Sequence, residues 1–293
     1  MRPEVTARIR RLELTARRVV EGFLTGMHRS PYFGQSIEFL QHRQYARGDE
    51  IRHIDWKVFG RQDRLHIKQY EEETNLRLTL VVDRSGSMAY GDGEANKFDY
   101  ASSLAASLAY LSLRQKDAAS LYAFDTEVHR SVSSKSNQQQ LNRILSVLES
   151  VGAEGRTDLL AVAKEIAQGI PRRGLVVIFS DLLGVDHLVE GLRLFRQRGH
   201  DVAIFHVLHD DELDFDFNGA TRFEGLESDA FLNCNPRALR EGYLESLRDF
   251  LEQTRKSCGR LSIEYMLVRS SDPLDAVLAN FLTTRQSMPK VRR

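Results

Sequence analysis

Asp83-Arg84-Ser85-Gly86-Ser87 sets a carboxylate and two hydroxyls at alternate positions of one short segment. Oxygen donors so spaced suit a hard cation, because Mg²⁺ takes near-octahedral oxygen ligands and keeps several waters rather than accepting a full protein cage. Ser85 and Ser87 would bind the ion directly, with Asp83 accepting from a bound water. Two later segments offer more oxygen: Gly155-Arg156-Thr157-Asp158 and Ile178-Phe179-Ser180-Asp181. Thr157 and Asp181 complete the expected set. Two carboxylates offset the dication, and neutral hydroxyls leave it electrophilic enough to take one more anion. The expected ion is Mg²⁺, with Mn²⁺ as its alternative. A plainer reading makes the serines capping or turn residues and Asp83 a strand-end turn former.

These segments need elements to position them. Leu76 to Val82 is a short apolar run ending in Asp83, and Leu175 to Phe179 a second with Asp181 just beyond it. Both read as buried strands. Residues 118–124, 202–208 and 261–268 read as further strands, and 95–115, 138–148, 158–167, 185–197, 238–256 and 274–282 as helices. Strands alternating with helices of this length predict an α/β fold, a doubly wound, mostly parallel sheet of Rossmann-like type flanked by helices. Ligands of such sheets bind beyond the carboxyl ends of the strands, where the strand order reverses. The expected organisation is an N-terminal helix and charged segment over 1–75 packed on a core domain over 76–285, and a flexible tail over 286–293.

Composition narrows the function. Lysine plus arginine, 41, equal aspartate plus glutamate, 41, so net charge supplies no general attraction to nucleic acid. Two cysteines, Cys234 and Cys258, are too few for a disulfide framework or a cysteine-rich zinc site. No secretory signal or membrane-spanning run is expected, which points to the cytoplasm. Ile9, Leu12, Ala16, Val19, Val20 and Phe23 share one helical face, and Arg8, Arg10, Arg11, Arg17 and Arg18 lie opposite. That helix packs on the domain with a solvated basic side, or docks a partner or membrane surface.

Asp-x-Ser-x-Ser, a distant threonine and a distant strand-end aspartate, in this chain order, resemble the metal-ion-dependent adhesion site of von Willebrand factor A domains. Tyr45-Ala46-Arg47-Gly48-Asp49-Glu50-Ile51-Arg52-His53-Ile54-Asp55-Trp56-Lys57, then Arg61, Leu65, Lys68 and Glu71-Glu72-Glu73, resemble the signature of the bacterial domain-of-unknown-function 58 family. Glu212, Phe215, Phe217, Phe223-Glu224-Gly225 and Glu227 resemble its C-terminal half. The resemblance implies a partner of MoxR-type AAA+ ATPases, an adaptor or co-chaperone rather than an enzyme. Within the signature, Arg52, Lys57, Arg61 and Lys68 would pair with its acidic residues or form a docking face, and Trp56 would anchor in a core.

Other readings are weaker. Asp214 to Gly219 begins like a calcium loop, but the acid required at its twelfth position is Gly225. Leu213, Phe215 and Phe217 alternate into Asn218-Gly219, so a hairpin near 213–227 is expected. His206, inside an apolar strand, reads as a satisfied core residue. No P-loop occurs. The expected function is a protein-binding module whose metal captures an Asp or Glu carboxylate from a partner. Its rivals are a Mg²⁺-dependent hydrolase with Asp158 as base, and a metal-independent scaffold docking through residues 1–75. A lysine or arginine of the same chain filling the metal's open position would remove the site.

Overall fold

The structure is a computed structural model that describes residues 3–27, 41–44, 66–69, 76–137, 139–170, 172–183 and 188–287. It divides into two compact units, residues 26–75 and residues 1–25 with 76–293. In the smaller unit, strands β1 (Gln41–Gln44) and β2 (His66–Gln69) pair antiparallel. The family-signature stretch from Tyr45 to Leu65, Trp56 included, lies outside the described residues, as do residues 70–75 and 288–293.

The larger unit is built on a six-stranded sheet of β3 (Arg77–Asp83), β4 (Ala118–Phe124), β5 (Val128–Lys135), β6 (Leu175–Ser180), β7 (Asp201–Leu208) and β10 (Glu264–Arg269), in the order β10-β7-β6-β3-β4-β5. All neighbours run parallel except β5, which pairs antiparallel with β4. This is the doubly wound order, and the chain reverses direction of winding between β3 and β6. The α/β architecture expected from the alternating pattern is the one observed. Every residue of β6 is buried, as are six of the seven in β3, because helices cover both faces and leave no side for water.

Helix α1 (Pro3–Met27) buries Leu12, Ala16, Val19 and Val20 and leaves Arg8, Arg10, Arg17 and Arg18 exposed. The helices of the core unit are α2 (Lys97–Arg114), α3 (Gln140–Ser150), α4 (Leu159–Gly169), α5 (Leu188–Gln197), α6 (Asp210–Asp214), α7 (Pro236–Arg260) and α8 (Leu274–Ser287). Their starts are written locally. The Asn96 side chain accepts from Asp99 N at 3.1 Å at the head of α2, and Asp158 accepts from Ala161 N at 3.0 Å at the head of α4. At α7, Asn235 accepts from Arg237 N at 3.2 Å, and Pro236 follows at the first helical position, where a missing N–H costs nothing.

Two features depart from the sequence pattern. Strand β5, VHRSVSSK, has no counterpart among the expected strands: at the sheet edge only Val132 of its residues is buried, so it carries no apolar run. The hairpin is real but displaced. The antiparallel pair is β8 (Thr221–Glu224) with β9 (Phe231–Cys234), turning through 225–230, and Leu213 to Phe217 is not a strand. His209 and Glu212 form a reciprocal capping box that starts the helical turn α6, and Phe215 follows in left-handed backbone at φ 47°. The alternating aromatics build a cluster instead: Phe215 stacks on Tyr243 at 4.3 Å between ring centres, and Phe217 meets Phe223 edge-on at 5.1 Å. Asp214, which opens the calcium-like pattern, is paired with Arg269 at 2.9 Å, and Asp210 shares the same arginine at 2.8 Å.

Candidate functional site

The rim above the carboxyl ends of β3 and β6 collects the residues singled out in the sequence. Asp83 closes β3 and is fully buried. Its Oδ1 accepts from Ser85 N at 2.8 Å and its Oδ2 from Ser180 Oγ at 2.6 Å. Those bonds fix the carboxylate and turn the backbone so that the two serines follow, with Ser85 Oγ and Ser87 Oγ 3.2 Å apart. Ser85 to Ser87 leads into a 3₁₀ turn, Gly86–Ala89.

The loop bearing Thr157 is pinned to this segment by backbone. Gly86 N donates to Gly155 O at 2.8 Å, and Glu154 N donates to Arg84 O at 2.7 Å. Arg84 itself is buried and ties the loops together. Its Nε donates to Gly152 O, Nη1 to Asp125 Oδ2 and Nη2 to Glu154 Oε1, at 2.8, 2.6 and 2.6 Å. Thr157 Oγ1 is a buried hydroxyl with no hydrogen-bond partner. It is one of several such atoms among the described residues, and its uncommitted lone pairs leave it able to bind a ligand or water. Asp158, the candidate base of the hydrolase reading, spends a carboxylate oxygen capping α4.

Asp181, just past β6, is also fully buried. Its Oδ1 accepts from Leu183 N at 3.1 Å, and its Oδ2 from Lys97 Nζ at 2.8 Å. Lys97 Nζ also donates to Glu212 Oε1 at 2.7 Å. Burial alone would depress the Lys97 ammonium, but Asp181 and Glu212 more than offset it and hold its pKa above the usual range. Asp83 is pushed well above the usual carboxylate range by burial and then by the neighbouring Asp181 charge. Nearby His206, buried as expected, is satisfied by Tyr265 Oη and Asp181 O at 2.7 Å each, and burial takes its pKa down to about 4.

Lys97 belongs to no motif in the sequence, yet a signal was there. It starts α2, whose Ala101, Leu104, Ala105 and Leu108 are all buried. A cation there opposes the helix dipole and must find carboxylates. Its two bonds run to Asp181 and Glu212 rather than to Asp83 or the serines. A further acid comes from the β8–β9 turn: Glu227 Oε1 accepts from Ser87 N at 3.3 Å, and Arg156 Nε donates to Glu227 O at 3.1 Å.

The donor set fits a hard cation. Asp83 and Asp181 lie fully buried at this rim, and Lys97 offsets part of the acid there by pairing with Asp181 and Glu212. The Asp83 and Asp181 oxygens already accept one bond each, so they would hold metal-bound waters, leaving Ser85, Ser87 and Thr157 as direct ligands. Among the described residues no group of three or more His, Cys, Asp or Glu is arranged to hold a metal, so a metal at this rim depends on the hydroxyls.

The fold and this strand-end rim define an α/β protein with a polar site at its topological switch point. Residues 41–253 match the family described as "Protein of unknown function DUF58", and the chain belongs to that family. It is similar to the uncharacterized proteins Rv1480 of Mycobacterium tuberculosis and Mb1516 of Mycobacterium bovis, each 28% identical over 265 residues, covering 88% of this chain and 83% of the relative. Among solved structures, BatB from Bacteroides thetaiotaomicron (13% identity) and an aerotolerance-related membrane protein from Bacteroides fragilis (15%) each superpose with a TM-score of 0.49, over 73% of this chain and 100% of theirs. Among the described residues no helix is long and apolar enough to cross a membrane.

Proposed function

We propose that this chain is a metal-dependent protein-binding module of von Willebrand factor A type. Mg²⁺, or Mn²⁺ in its place, is held by Ser85, Ser87 and Thr157 with Asp83 and Asp181 behind bound waters, and captures an Asp or Glu carboxylate from a protein partner. The observation that carries this reading is the direct backbone bonding of the Thr157 loop to the Asp-x-Ser-x-Ser segment, which gathers the hydroxyl donors at one rim. The cation supplies a positive centre that a carboxylate can complete; the protein's share is to fix the hydroxyls and to neutralise the ion without saturating it. The partner proposed from the family resemblance is a MoxR-type AAA+ ATPase in the cytoplasm, with this chain as its adaptor.

The experiment is affinity capture from native lysate with the full chain as bait. Capture of an AAA+ ATPase should require Mg²⁺, vanish with EDTA and vanish for Asp83→Ala, whose fold is checked by circular dichroism. Equal capture by Asp83→Ala, or in EDTA, would sink the reading.

A further inference from the structure

The β8–β9 turn reaches across the rim in a way that the capture reading does not require. Glu227 Oε1 accepts from the backbone N–H of Ser87, one of the two hydroxyl donors, at 3.3 Å, and the Glu227 carbonyl accepts from Arg156, in the Thr157 loop, at 3.1 Å. The turn's backbone presses on the same segment. A Cβ added to Gly86 would lie 2.3 Å from Leu226 O and 3.1 Å from Gly155 O, so a glycine is what lets both of these segments close on the serines. Away from these contacts the hairpin is open to solvent: Leu226, Phe231 and Leu232 are each more than half exposed.

The turn therefore has one charged side chain directed at the rim, and that side chain has the chemistry the rim is built to capture. We infer that Glu227 is an internal carboxylate that occupies the metal's open coordination position in the isolated chain, so that a partner's Asp or Glu binds by displacing it. This rests on the metal-binding reading above. It gives the hairpin a role, because a weak intramolecular ligand held at high effective concentration must be outcompeted by any partner.

Mn²⁺ titration of the full chain, with free ion counted by electron paramagnetic resonance, separates this inference from its parent. Wild type should bind one Mn²⁺ and Asp83→Ala none. Glu227→Gln, an isosteric change, should bind about tenfold more weakly or worse, as loss of a supporting ligand does. Added acetate should restore the variant's affinity and leave wild type unchanged. Glu227→Asp, which retains a carboxylate, should fall between. If wild type binds Mn²⁺ and Glu227→Gln binds it as tightly, or acetate strengthens both alike, the internal ligand is wrong while the metal site stands. If wild type and Asp83→Ala bind equally, or neither binds, both readings fall.

Discussion

Lys97 shows how far one side chain can be committed. It is fully buried between Asp181 and Glu212, at 2.8 and 2.7 Å. Removing one member of a buried ion pair leaves uncompensated charge, which typically costs about 3 to 5 kcal/mol. Lys97→Met should therefore lower the unfolding free energy by about 3 kcal/mol or more in urea titration, with Lys97→Met/Glu212→Gln recovering part of the loss. The same residue marks what can be read in advance. Asp83, Ser85, Ser87, Thr157 and Asp181 are legible because their types and order carry a chemical pattern. Lys97 belongs to no such pattern and needs its helix face to be located first. Ser180 and Arg84 have less still to reveal them, because their roles depend on which loops meet in space. The two cysteines offer a simpler check. Burial pushes the Cys258 thiol up to about 11 while Cys234 is partly exposed. A thiol reagent at pH 8 should modify Cys234 alone in the folded protein and both residues in denaturant.

At the scale of elements, the buried strands β3, β6 and β7 are legible because helices on both faces make them continuous apolar runs, and their helices because each keeps one apolar face. Strand β5 is not, since a solvent-facing edge needs no such run. The hairpin is misplaced for a different reason. Alternating apolar residues at 213, 215 and 217 mimic a strand, whereas the capping box at His209 and Glu212 commits the chain to a helical turn first. The consequence for the site is specific, since the turn at 225–230 rests against Gly86. Gly86→Ala should force that turn off the rim or strain the loop beneath it, costing about 1 to 3 kcal/mol as overpacking does. Hydrogen exchange should then accelerate at 225–230 while amides of β3 and β6 keep their protection.

For the whole molecule, buried histidines set a pH dependence whose sign can be worked out. His200 is buried with Nδ1 unpartnered, and burial, reinforced by Arg198, holds its pKa below the usual histidine value. In the unfolded chain it takes a proton near pH 6.5, whereas the folded chain resists. Its contribution is thus full above that value and falls as pH drops through it towards the depressed folded pKa. Measured by urea unfolding, any stability advantage of wild type over His200→Gln should shrink between pH 7 and pH 5 and stay level from pH 7 to pH 8.

The bond from Ser87 to Glu227 spans 140 positions of the chain. Contacts of such separation form late, because a long loop must be closed before they give anything back. During synthesis the sheet's first strands exist well before the turn that rests on them. The rim of a nascent chain is accordingly without its covering turn, and the Ser87 amide bonded to water instead, until residue 227 has left the ribosome.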